Sequence, residues 1–313
     1  MMGKTKKRKQ QRNNTVKHKR EKKYKHKNHY HKRITDREFK KAKCAPTTNS
    51  VGEFTCYSDK ALQKMRDLWN IRHPDCKIQD KSPREIWLSL RDYMGDVCDN
   101  EACWLKNKFI EQELDPDLLH YTFAPKKPNS WIKEPNKWLN SRDILNVMKQ
   151  YERKYKCFEF LGPSPIDYDT HIYDGECVWK ELCELDIHNE IKKGKNKIGI
   201  IFNLDPHYMA GSHWIAAFIH IKKGMLYYFD SYGEKPEPQV KKLFNTIKEQ
   251  GKRLNIDFNE KINSFRHQYG DSECGMYCLH FIIEMLMDKN IDYFFSNRIS
   301  DTKMLKLRRE YFN

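Results

Sequence analysis

The sequence predicts an α+β fold with a mixed central sheet flanked by helices. Three observations carry that reading. Three strand patterns stand close together between residues 198 and 230. Helical periodicities lie on both sides of them. A strongly apolar helix pattern follows a polar, glycine-containing turn at residues 268–274.

Composition sets the frame. The chain has 313 residues, 38% hydrophobic and 13% aromatic, enough for a sizeable core. Its net charge of +16 sits in residues 1–43, which hold 19 Lys and Arg against Glu21, Asp36 and Glu38. The remaining residues balance, 40 basic against 40 acidic. Almost no aliphatic side chain interrupts the basic segment, so residues 1–43 are expected to be a disordered tail. Runs such as Lys6-Lys7-Arg8-Lys9 suit a nucleic-acid backbone or a nuclear import receptor. A solvated solubility tail is the plainer alternative. The charged N-terminus does not read as a signal peptide, and no 18-residue apolar stretch reads as a membrane span. The ten cysteines are therefore expected to be reduced thiols in an intracellular protein. No pair of C-x-x-C motifs is present, and no metal or cofactor is expected.

Residues 44–125 read as an N-terminal helical region. Ser58 caps a helix with Ala61, Leu62, Met65, Leu68 and Trp69 on one face, ended by His73-Pro74. Ser82-Pro83 opens a second, with Ile86, Trp87, Leu90 and Met94 inward. A third is expected from Asn100 to Gln112. Beyond a boundary loop at 124–130, residues 126–313 form the domain that carries chemistry. Ser141 is the expected cap of a helix burying Ile144, Leu145 and Met148. Leu161–Asp167, with two prolines, reads as irregular, and Val178–Leu185 as a short helix. Ile198–Leu204 and His213–His220 are strands, and Lys222-Lys223-Gly224 turns the chain into a third, Met225–Asp230. Val240–Leu254 is an amphipathic helix. A further strand is expected within 261–267, and a terminal helix around Met304, Leu307 and Tyr311.

One constellation stands out. Cys274 lies where the turn meets the apolar helix, and a helix N-terminus favours the thiolate. His213 opens one strand and Asp230 closes the next. The two lie roughly symmetrically about the Lys222–Gly224 turn, so folding the hairpin brings them together. Asp230 can then hold the imidazole in one tautomer. Gln268 offers an amide N–H to a developing oxyanion, and the Cys274 backbone N–H is a second donor. Nucleophile, base, orienting acid and anion donor make a complete set for acyl transfer. Taken singly, each residue has an ordinary structural explanation; only the combination points to catalysis. Cys278, one turn into the helix, should be buried and inert. His207, His220, His267 and His280 are poorer bases: three lack a strand-end partner and His280 sits mid-helix.

The blocks His213-Trp214, Asp230-Ser231, Gln268 and Asp271-Ser272-Glu273-Cys274-Gly275 resemble the ubiquitin-like-protein proteases of the ULP/SENP type and the adenovirus protease adenain. The order His, Asp, Gln, Cys is theirs, and Trp138-Leu139-Asn140 is similar to the helix entry of the ULP/SENP group. The resemblance covers about residues 130–313. It implies the adenain-like fold and a cysteine protease, with Trp138 and Trp214 as substrate-binding residues of a narrow tunnel for Gly-Gly. Only glycine lacks the Cβ that two indoles would exclude. Glu273 departs from the Asp-Cys-Gly of many such enzymes, with the charge kept. The helical region and Phe160–Asp167 resemble the thiol proteases of large nucleocytoplasmic DNA viruses, the mimivirus and asfarvirus kind. That likeness implies maturation of structural polyproteins at Gly-Gly-x sites in a virion or viral factory. An isopeptidase acting on SUMO-like modifiers, with a nuclear location, is the alternative. A packaging protein that binds nucleic acid on an inactive protease fold is a third, opposed by the intact His213, Asp230, Gln268 and Cys274.

Overall fold

The tertiary structure, a computed structural model, describes residues 39–48 and 50–313. They fall into two compact units, one of residues 39–42 and 50–120, the other of residues 43–48 and 121–313. The basic tail expected at 1–43 lies outside the described residues up to position 38. Within its last five residues, Phe39 and Ala42 are packed instead. Phe39 meets the rings of Trp87 and Trp104 at 5.6 and 6.0 Å, and Ala42 is buried. One aromatic and one small apolar side chain suffice to tie down the end of the segment.

In the first unit, helix α1 (Asp59–Arg72) is capped by Ser58 and buries the five apolar residues of its predicted face. Helix α2 (Pro83–Met94) has Ser82 as cap and proline in its first turn. The third expected helix is broken. A 3-10 turn covers Glu101–Lys106 and one α-turn covers Lys108–Glu111. Buried Glu101 accepts hydrogen bonds from Thr55 Oγ1, the Cys56 N–H and Trp87 Nε1, which pins the segment before a regular helix can extend.

The second unit is built on a six-stranded sheet. Its strands are β1 (Phe158–Phe160), β2 (Ser164–Pro165), β3 (Lys197–Asn203), β4 (Trp214–His220), β5 (Met225–Phe229) and β6 (Asn259–Ile262). The order is β1-β3-β4-β5-β6, with β2 pairing the far end of β3. The β3–β4 and β4–β5 pairs are antiparallel; the β1–β3, β2–β3 and β5–β6 pairs are parallel. Side chains alternate across a strand. Ala216 and Phe218 therefore join one core, and Ile215, Ala217 and Ile219 the other. The first core contains buried residues of α3 (Ser141–Lys154), α5 (Cys274–Leu286), α6 (Ile291–Ser296) and α7 (Asp301–Tyr311). The second contains those of α4 (Pro238–Arg253) and of a short helix at Ile187–Lys192. With both faces covered, β4 is buried along its whole length, and residues 214–219 read as an unbroken apolar run.

Other differences are local. Asn140, not Ser141, caps α3, in a reciprocal box with Asp143. The expected irregular stretch 161–167 contains β2, whose Pro165 stands at the margin of the sheet, where a missing N–H is tolerated. Cys98–Cys103 and Cys177–Cys183 are disulfide-bonded rather than reduced, with Cα atoms 5.5 and 6.3 Å apart, within bridging reach. Cys76, Cys157, Cys274 and Cys278 are free thiols. Among the described residues no helix is long and apolar enough to cross a membrane.

Candidate active site

Hairpin register positions His213. Ala216 pairs with Phe229 and His220 with Met225, so the chain enters β4 at the same sheet end at which it leaves β5. Gly224 makes the connection with φ +59°, the left-handed region that glycine enters freely. His213, just before β4, thereby places Nε2 2.6 Å from Oδ1 of Asp230, just after β5. A carboxylate can only accept, so Nε2–H donates and Nδ1 remains for the thiol. Asp230 is buried and also accepts the backbone N–H groups of Tyr232 and Glu234, at 3.2 and 3.1 Å. The Tyr232 ring stacks on the imidazole, centroids 4.8 Å apart and planes at 17°.

His213 is pushed up to about 9. Burial pulls it downward, but hydrogen bonds to Asp230 and Cys274 and the electrostatic influence of the same two partners outweigh that penalty. Cys274 is the first residue of α5 and only 1% exposed. Cys278 is fully buried, and burial drives its thiol well above the usual range, as its place one turn inward predicts.

Gln268 is brought to the same turn by two backbone hydrogen bonds, since the His267 and Gln268 N–H groups both donate to the Ser231 carbonyl. Its side chain is fully committed. Oε1 accepts from Ser231 Oγ at 2.7 Å, while Nε2 donates to the Gly270 carbonyl at 2.8 Å and to the Tyr232 hydroxyl at 3.4 Å. The amide thus points along its own loop in this structure, not to an empty site.

Trp138 and Trp214 line one cleft of about 710 Å³, together with Leu145, Pro163, Trp179, Asp205 and Met209. Trp138 is 43% exposed, whereas Trp214 is buried and donates Nε1–H to the Leu139 carbonyl at 2.9 Å. Leu139 in turn packs on α5 so closely that a Cβ on Gly275 would lie 3.1 Å from it. Cleft and thiol are therefore joined through Leu139.

Among the other histidines, His207 does have a carboxylate partner, Asp167 at 2.7 Å, which sequence spacing did not reveal. Burial pushes His267 down to about 4 and His280 to about 3, so neither takes up a proton readily near neutrality. The sequence also gave no sign of Tyr232 as a ring support, although it stands two residues from Asp230. Nor did it reveal that Glu273, before the thiol, is gripped by Arg308 at 2.9 and 3.2 Å.

The sequence profile of the Ulp1 protease family C-terminal catalytic domain matches residues 165–313. A SUMO-1 cysteine protease of a warthog isolate of African swine fever virus is 32% identical over 258 residues, covering 78% of this chain and 93% of the relative. A protein of Acanthamoeba polyphaga mimivirus, provisionally named a thiol protease, is 29% identical over 289 residues, 86% of this chain and 92% of that one. The crystal structure of an African swine fever virus protease superposes with a TM-score of 0.63 over 87% of this chain and 96% of its own, at 21% identity. The chain belongs to the Ulp1 family of cysteine proteases.

Proposed function

We propose that this protease cleaves peptide bonds after Gly-Gly-x motifs, maturing viral structural polyproteins in a virion or viral factory, with Cys274 as nucleophile. The observation that carries the reading is the His213–Asp230 contact, with the thiol as the imidazole's second partner. Cys274 Sγ attacks the amide carbon. His213 holds the thiol proton and delivers it to the leaving amine, forming a thioester that water hydrolyses with His213 as base. Asp230 orients the ring and stabilises its charge. The Cys274 N–H and Gln268 Nε2 receive the oxyanion. For Gln268 this requires an exchange, and the 3.4 Å contact to Tyr232 is the weaker of its two donations and the one to give up. Trp138 and Trp214 flank the approach and favour residues without a Cβ.

A second reading is removal of SUMO-like modifiers from lysine, favoured by the name that the swine fever virus relative bears. Nucleic acid binding through residues 1–43 would concentrate either activity near packaged genomes. Mass spectrometry of products from a Gly-Gly-x peptide library, beside SUMO conjugates and with Cys274→Ala as control, separates the readings. Cleavage of conjugates without cleavage of peptides would overturn the polyprotein assignment, and turnover by Cys274→Ala would overturn the nucleophile.

A further inference from the structure

Arg308, on the C-terminal helix α7, is 4% exposed, and its guanidinium is bonded in three directions. Nε and Nη2 take the two carboxylate oxygens of Glu273 at 3.2 and 2.9 Å. Nη1 donates to the Lys137 carbonyl at 2.7 Å. The group lies 4.4 Å from the centroid of the Trp131 ring. Glu273 is itself 3% exposed and directly precedes Cys274. Lys137 directly precedes Trp138, and its carbonyl belongs to the peptide plane that opens that residue. One side chain therefore grips two of the segments that build the site, one peptide away from the thiol and one from the cleft tryptophan.

Stability alone explains this poorly. A buried ion pair meets a desolvation cost that often cancels its attraction, and apolar residues of similar volume commonly serve as well. What apolar residues cannot supply is a planar fork that fixes two backbone segments at set distances. With Asp in place of Glu273, one methylene less, the same backbone would not close the fork.

Resting on the assignment of Cys274 as nucleophile, we propose that Arg308 is a positioning residue. Acting through Glu273 and the Lys137 carbonyl, it sets the Cys274 turn at a fixed distance from the Trp138 wall of the substrate cleft. Substrate held at Trp138 then presents its carbonyl to a sulfur that cannot drift away. A misplacement of about 1 Å between such parts can cost about 100-fold in rate.

The test uses the full chain with Arg308→Lys and Glu273→Asp, which keep both charges but break the fork, and the double variant Glu273→Met/Arg308→Met, which removes the pair at similar volume. Three quantities are measured: kcat and KM on a Gly-Gly-x fluorogenic peptide, the pH dependence of Cys274 alkylation by iodoacetamide, and the thermal midpoint. We expect kcat about tenfold lower or more and KM raised in each folded variant, together with a displaced alkylation profile. The double variant should recover thermal stability without recovering kcat. Wild-type kinetics in folded Arg308→Lys, or activity that returns with stability in the double variant, would overturn the positioning role alone. Turnover by Cys274→Ala would overturn both that role and the nucleophile assignment beneath it.

Discussion

His213 and Asp230 meet at 2.6 Å because the β4–β5 hairpin returns the chain to the sheet end it left. The contact has a consequence that pH can read. His213 is raised from its ordinary 6.5 to about 9, with burial opposing and the Asp230 and Cys274 hydrogen bonds prevailing. A base raised on folding contributes stability that is fully present below 6.5 and lost as pH rises through about 9. The leaving amine needs that proton, so kcat/KM should fall on the alkaline side with a midpoint near 9. Asp230→Asn removes one of the raising partners. It should move the alkaline limb to lower pH and lower the rate by about 100-fold. A pH–rate series on both proteins decides it; superimposable limbs would contradict the role given to Asp230.

The oxyanion assignment has its own test, because Gln268 is bonded on all sides. Gln268→Ala should raise the barrier by about 3 kcal/mol, somewhat over 100-fold in kcat, with KM little changed. If the Tyr232 hydroxyl is the contact that the oxyanion displaces, Tyr232→Phe should leave kcat within a few-fold of wild type. Ser231→Ala should do more harm, since the Ser231 hydroxyl holds Oε1 and so decides which end of the amide faces the site. A Tyr232→Phe enzyme crippled as deeply as Gln268→Ala would show that the hydroxyl does more than accept a dispensable bond.

The difference between what could and could not be read in the sequence follows from range. The α+β architecture was legible because β3, β4 and β5 carry apolar runs and α4 and α5 strong helical patterns. The approach of His213 to Asp230 was legible because a local turn at 222–224 enforces it. Strands β1 and β2 were not, being three and two residues long and too short to show a period. The strand expected within 261–267 lies slightly earlier, as β6 at Asn259–Ile262; its four residues are all exposed, so no apolar alternation marked its bounds. Arg308 lies 35 residues from Glu273 and 171 from Lys137, and no local pattern reports such a contact. The saturation of Gln268 depended on Ser231 and Gly270, residues whose side chains or carbonyls carry no distinctive signal.

Gly224 links the fold to the site. Its φ of +59° is costly for any residue with a side chain, and a Cβ there would collide with the Asp257 carbonyl. Gly224→Ala should therefore destabilise the protein by about 1–3 kcal/mol. In a domain of this size that lowers the thermal midpoint by several degrees, about 2–4 °C per kcal/mol. Differential scanning calorimetry measures it. An unchanged midpoint would mean that the turn relaxes at no cost, and that the hairpin is a weaker constraint on His213 than its geometry suggests.

The basic segment supplies the last prediction. The charge excess of the chain belongs to residues 1–43, while the rest is balanced. A polyanion should therefore engage that segment and release counterions, giving an affinity that falls steeply with salt. Because Phe39 and Ala42 are packed, a clean deletion stops at residue 38. The shortened protein should lose its salt-sensitive binding to duplex DNA, measured by fluorescence anisotropy between 50 and 200 mM salt, conditions under which about 10³-fold or more can be at stake. Its kcat and KM on a short peptide should stay within two-fold of the full chain, since the residues assigned to the site lie between 138 and 308. DNA affinity that survives the deletion, with the same salt slope, would place the binding surface on the folded units instead and remove the tether from the proposal.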